Sequence, residues 1–146
     1  MGAFDPEAEV AALGAGRKDA GALASFVGYC RDETAGVAVH GLHIEHYPGF
    51  TEREMARLVD EIAGRFRLKD LLVIHRVGDI KPGEAIVLVA AISAHRAQAF
   101  DAVRLLMDYL KTDAPLWKKE TGPDGARWIE PHAEDHVRRA RAGAKA

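Results

Sequence analysis

Nine consecutive residues at 85–93, AIVLVAAIS, carry no charge and only one polar side chain, at the last position. A strand points successive side chains to opposite faces, so a run this apolar reads as a central strand covered on both faces. The chain has 146 residues, a size that forms one domain with a real hydrophobic core and needs no disulfide staples. It has one cysteine, Cys30, which excludes an internal disulfide and a cysteine-based metal cluster. Twenty basic residues against 22 acidic ones leave a net charge of −2, the wrong balance for an electrostatic nucleic-acid binder. No stretch of 18 apolar residues exists, so no membrane span is expected. The opening MGAFDPEAEV is acidic and unlike a signal peptide, so the expectation is a cytoplasmic protein.

The other elements follow from local signals. Asp5-Pro6 reads as a helix start, an N-cap followed by proline at the first helical position, with a stop at Gly14. Residues 20–31 form a small-residue strand, and 37–47 alternate well enough to be its hairpin partner across DETAG. Thr51 and Glu54 suggest a capping box. Met55, Leu58, Val59, Ile62, Ala63 and Phe66 then mark one helical face. Residues 70–77 read as a strand, KPGE at 81–84 as a turn, and 96–111 as a second helix with Ala99, Phe100, Val103, Leu106, Met107 and Leu110 buried. Two short strands, LWKKET and ARWIE, flank the turn sequence GPDG. The sum is an α+β fold: an antiparallel sheet with helices packed on one face. The whole chain, 1–146, is one domain, with its core at about 20–130 and a polar tail at 132–146.

Polar residues at element ends are the candidates for chemistry. Arg31 ends the first strand, His95 and Arg96 follow the most apolar one, Lys111 closes the second helix, and Lys118, Lys119 and Glu120 lie in the next strand. A helix start with an arginine beside it suits an anion, because free N–H groups and a fork of donors point the same way. Taken singly, each of these reads first as a solvated charge or a helix cap, and it is the combination of basic groups with a histidine near apolar strand ends that points to a site. His40, His43 and His46 lie on alternating strand faces, so no metal site is expected. Cys30 reads as a small buried hydrophobe. Trp117 and Trp128 read as core or interface anchors.

Longer strings carry more. EHYPGF (45–50), IHRVG (74–78), SAHRAQAF (93–100), MDYLKT (107–112), APLWKKE (114–120) and the GPDGARWIE ending together resemble the large, catalytic subunit of molybdopterin synthase, from about Ala20 to Glu130. FVGYCR at 26–31 is similar to the family's strand that ends in arginine. The resemblance implies a sulfurtransferase. Its substrate is cyclic pyranopterin monophosphate (precursor Z), and its product is molybdopterin, with a dithiolene. The sulfur donor is a small ubiquitin-like carrier subunit with a C-terminal Gly-Gly thiocarboxylate. The implied assembly is a homodimer within a heterotetramer, with no cofactor of its own.

By matching position, the resemblance implies catalytic roles for Lys111 and Lys118. It implies substrate binding by Tyr29, Cys30, Arg31, His95, Arg96, Lys119 and Glu120 as well as by the two lysines. His132 stands where the family places a basic residue that reaches the neighbouring subunit's site. With one cysteine and no CxxC, the chain is poorly equipped to supply two sulfurs itself, and its RAGAKA ending is not a carrier's diglycine. The rival reading is a non-enzymatic, anion-binding regulatory α+β domain, for which an arginine would serve as well as Lys111.

Overall fold

The structure, a computed structural model, describes residues 2–129. In chain order the elements are α1 (Pro6–Gly14), β1 (Ala22–Tyr29), β2 (Glu33–Thr34), β3 (Val37–Ala38), β4 (Gly41–His46) and α2 (Phe50–Phe66), then β5 (Asp70–His75), β6 (Gly78–Ile80), β7 (Ala85–Ser93), α3 (Arg96–Thr112), β8 (Leu116–Gly122) and β9 (Gly125–Ile129). The apolar run is β7, buried at all nine positions. It pairs antiparallel with β1 on one edge and β5 on the other. Val87, Val89 and Ala91 join the core with Met55, Leu58 and Ile62 of α2 and Ala99, Ala102 and Leu106 of α3. Leu88, Ala90 and Ile92 alternate to the opposite face and are equally buried. The short helix α1 packs against β1 and β7 and lies toward that second face, where Gly14 meets Leu23, the partner of Ile92. Asp5 caps α1 as expected, accepting from the backbone N–H groups of Glu7 and Ala8.

A second antiparallel sheet, in the order β6-β4-β8-β9, carries the GPDG hairpin and contributes Ile44 and Ile80 to the core. Here the structure departs from the sequence reading. Residues 37–47 do not pair with β1, whose ladder is with β7; instead β4 lies between β6 and β8. The DETAG link closes a small hairpin of its own, β2 with β3, with both Ala35 and Gly36 at positive φ (52° and 81°). Two such residues in succession give the strand twist a tight hairpin needs. The strand expected over 70–77 ends at His75, and beyond it Gly78 at φ 83° opens a further short strand, β6, which belongs to the second sheet.

The start of α2 also differs. Its N-cap is Gly49 at φ 86°, whose N–H donates to the Glu52 carboxylate, so Thr51 already lies inside the helix. Thr51 is fully buried and ties two segments together. Its hydroxyl accepts from Tyr47 N–H at 2.8 Å and donates to the Pro115 carbonyl at 2.9 Å. The tertiary partner outcompetes the local cap. On α3, the buried stripe is centred on Ala99, Ala102, Leu106 and Tyr109, which leaves Phe100 on its margin and 61% exposed. Trp117 and Trp128 are exposed as well, so neither anchors this chain's core.

Leu88 has no exposed surface and sits at the middle of the central strand. Leu88→Ala should lower unfolding stability by about 2–5 kcal/mol, read from denaturant midpoints at constant m.

Candidate active site

The antiparallel geometry of β1, β7 and α3 brings three chain ends to one place. Tyr29 at the end of β1 lies opposite Ala85 at the start of β7. The helix α3 leaves the far end of β7 and packs back along both strands, returning its C-terminal turn to the same end of the sheet. His75, the last residue of β5, pairs beside Val87. Together with β8, these ends enclose a cavity of about 510 Å³, whose apolar wall includes Phe26, Val87, Met107 and Leu110. Gly28 keeps that wall thin: a Cβ there would lie 2.9 Å from a Val87 methyl.

Six sequence-predicted residues line the cavity: Tyr29, Cys30, Arg31, Lys111, Lys118 and Glu120. Arg31 and Lys111 are exposed, while Lys118 is half-buried. Strand alternation on β8 turns Lys118 and Glu120 to the cavity and Lys119 away from it. The Lys119 ammonium lies 5.0 Å from the centre of the Trp128 ring, a cation–π contact, and Lys119 is not part of the cavity lining. Glu120 is already engaged. One oxygen accepts from the Thr34 hydroxyl at 3.1 Å, and the other pairs with Arg127 at 3.2 Å. It braces the cavity wall between β2 and β9.

Cys30 is pinned to the KPGE turn, its N–H donating to Glu84 O at 2.9 Å and its carbonyl accepting from Gly83 N–H at 2.7 Å. Burial pushes its thiol pKa up, and the charges of Glu120 and Glu84 add to the effect. A protonated, buried thiol is a poor nucleophile.

His95 and Arg96 are elsewhere. They are exposed at the N-terminal end of α3, and Arg96 is fifteen residues before Lys111 on one continuous helix. At 1.5 Å per residue that is about 22 Å, too far for one small substrate within one chain. His132 lies outside the described residues. The strand histidines are occupied separately: His43 meets Asp79 at 2.7 Å and His46 meets Glu52 at 3.2 Å. Among the described residues, no group of three His, Cys, Asp or Glu is placed to hold a metal.

One cavity residue escaped the sequence reading. His75 is buried, and its Nδ1 lies 2.8 Å from the Arg76 carbonyl. Desolvation lowers its pKa to about 4, the Arg76 contact opposes that, and the charges of Lys118 and Lys111 lower it further. The signal was the IHRVG block at 74–78, which puts a polar pair, His75-Arg76, at the end of an apolar strand but was not read as part of the site.

A family model described as MoaE protein matches residues 2–113, more than half of the chain. The chain belongs to the MoaE protein family. A molybdopterin synthase catalytic subunit from Ralstonia nicotianae is 51% identical over 140 residues, covering 96% of this chain and 80% of its own. One from Caulobacter vibrioides is 50% identical over 134 residues, covering 92% and 88%. Among solved structures, a molybdopterin biosynthesis MoaE protein from Burkholderia ambifaria superposes with a TM-score of 0.80 at 45% identity, over 98% of this chain and 94% of that one. In this MoaE family member the cavity thus combines cations from three elements with an apolar wall and a neutral histidine.

That histidine couples stability to pH. Its native pKa, about 4, lies below the ordinary 6.5, so folding excludes a proton that the unfolded chain takes up. The contribution is full above pH 6.5 and is lost as pH falls toward 4, to a total of ~3 kcal/mol. Wild type should therefore lose more stability than His75→Asn across this window, as measured by urea unfolding at a series of pH values.

Proposed function

We propose that the cavity carries out the molybdopterin synthase reaction, with this chain as the catalytic subunit. The observation that carries the reading is the meeting of Arg31, Lys111 and Lys118 in one part-apolar cavity, in a chain half identical to catalytic subunits of that enzyme. Such an enzyme is a sulfurtransferase of molybdenum cofactor biosynthesis. The substrate is cyclic pyranopterin monophosphate, and sulfur comes from the thiocarboxylated C-terminal glycine of a small ubiquitin-like carrier. The non-enzymatic anion-binding domain is the less favoured reading.

Each group has a task this chemistry requires. The substrate is an anion with a flat ring. The exposed Arg31 fork suits its phosphate, and the apolar wall of Phe26 and Met107 suits the ring. Each of the two sulfur transfers forms a carbon–sulfur bond at a substrate carbon while a carbon–oxygen bond of that carbon breaks, and water adds to the carrier's acyl carbon, breaking the acyl carbon–sulfur bond and leaving the carrier a carboxylate. Negative charge grows on the acyl oxygen and on the opening phosphate, and fixed cations at Lys111 and Lys118 stabilise both. Cys30, held protonated, leaves the carrier as the sulfur source.

His95 and Arg96 serve this substrate only from a second copy of the chain, because α3 holds them about 22 Å from its own Lys111. A homodimer in which each copy completes the other's site accounts for both ends of the helix, and the carrier subunits make it a heterotetramer. Among the described residues no helix is long and apolar enough to cross a membrane, and we place the enzyme in the cytoplasm with the rest of such a pathway.

Incubation with cyclic pyranopterin monophosphate and a thiocarboxylated carrier should yield molybdopterin by mass spectrometry; its absence with a competent carrier would refute the reading. Lys111→Ala should abolish product while the melting temperature stays within a few degrees, since a helix-end change costs up to ~1 kcal/mol. Lys111→Arg should remain at least ~10-fold impaired, because a broad guanidinium fork does not place its charge where the compact ammonium stands. Mixing inactive Lys111→Ala with inactive Arg96→Ala should restore activity, since mixed dimers hold one intact site. Failure of the mixture to recover, with subunit exchange verified, would place both residues in one chain's site.

A further inference from the structure

The Lys81–Glu84 turn, which leads into β7, is held from both sides. Toward β1 it grips one residue. Cys30 N–H donates to the Glu84 carbonyl at 2.9 Å, and Gly83 N–H donates to the Cys30 carbonyl at 2.7 Å. Toward β5 it meets Arg76. The Arg76 guanidinium pairs with the Glu84 carboxylate at 3.3 Å and donates to the Asp79 carbonyl at 2.9 Å, while Arg76 N–H donates to the Ile86 carbonyl at 2.8 Å.

Arg76 is buried, and a buried guanidinium is costly unless it is paired and hydrogen-bonded. The turn itself is closed by shorter-range bonds. The Glu84 carboxylate accepts from Lys81 N–H at 2.6 Å, Glu84 N–H donates to the Lys81 carbonyl at 3.1 Å, and Gly83 supplies the positive φ, 88°. What Arg76 adds is a fixed position for the turn relative to the sheet. Arg31 depends on that position. It lies past the end of the β1–β7 ladder, between two backbone ties: Cys30 to the turn, and the Asp32 carbonyl to Val39 N–H at 2.8 Å. Its side chain is long and exposed, so the reach of its guanidinium into the cavity is set by where this backbone is held.

We propose that Arg76 is a positioning residue for Arg31: its fork locks the Lys81–Glu84 turn, and the turn locks the Cys30 backbone from which Arg31 is presented to the anion. The proposal rests on the synthase reading for the identity of the anion, but not for the chain of contacts. Lysine is no substitute at position 76, because a compact ammonium on a flexible stem does not hold two acceptors at the fixed positions of a planar fork.

Arg76→Lys keeps the charge and loses the fork. Glu84→Gln keeps an acceptor for Lys81 N–H and loses the charge pair, at a half-buried position. With saturating carrier, Arg76→Lys should raise KM for cyclic pyranopterin monophosphate ~10-fold and leave kcat within ~3-fold, the pattern of binding lost equally from ground and transition states. In an Arg31→Ala background the same substitution should change KM by less than ~2-fold, because the residue it acts through is gone. Glu84→Gln should repeat both results in weaker form, and decides alone if Arg76→Lys does not fold. A role in stability alone would produce neither the KM split nor the coupling to Arg31.

Amide hydrogen exchange tests the clamp without turnover. The N–H groups of Cys30 and Gly83 should exchange at least ~10-fold faster in Arg76→Lys and in Glu84→Gln, and at the wild-type rate in Arg31→Ala. Unchanged KM, additive effects of the position-76 and position-31 substitutions on KM, or wild-type exchange at Cys30 and Gly83 would each overturn the proposal. Absence of product from wild type would instead count against the synthase reading and leave the exchange rates to decide the clamp.

Discussion

The structure depends on hiding β7. A nine-residue strand buried on both faces has to have its backbone paired along both edges, and β1 and β5 do this. Its faces then require cover, from α2 and α3 on one side and from the α1 side on the other. The position of the cavity follows from the same requirement. A helix that leaves the end of β7 and packs back across it returns its last turn to the strand's beginning. That is why Lys111 arrives beside Tyr29, Cys30 and Arg31, eighty residues earlier in the chain.

The cavity is electrostatically graded. Arg31 and Lys111 are exposed, Lys118 is half-buried, and the buried groups, Cys30 and His75, are held uncharged by desolvation. Charge is thus retained where water or an anion can solvate it and removed where neither reaches. Glu120, the carboxylate among the lining residues, is matched by a hydroxyl and a guanidinium.

Much of this was legible in the residues, and the failures have physical causes. The run at 85–93, the helical face from Met55 to Phe66 and the turn at GPDG are strong local signals, and all three appear in the fold. Strand partnership is not local: β1 took β7, whose apolar surface offers more burial than the mixed residues of 37–47. Thr51 had the right type for a cap, but a tertiary bond to Pro115 claimed its hydroxyl. The block APLWKKE drew Lys118 and Lys119 together as neighbours, while strand alternation sends them to opposite faces. His95 and Arg96 share a helix with Lys111, and only the length of that helix reveals that they stand apart. His75 gave little signal, because a histidine at a strand end shows neither its burial nor its tautomer until its neighbours are placed.

The placement of the aromatic residues decides what light reports about this molecule. Both tryptophans, Trp117 and Trp128, are exposed on the β8–β9 hairpin; Trp117 lies edge-on to Tyr47 with ring centres 5.6 Å apart, and Trp128 lies under the Lys119 ammonium. The central strand and the two long helices contain none. Tryptophan fluorescence is therefore a local gauge of one hairpin surface, while far-ultraviolet dichroism sees α2 and α3. A change in tryptophan emission on adding a carrier or a second copy would locate the event at that hairpin.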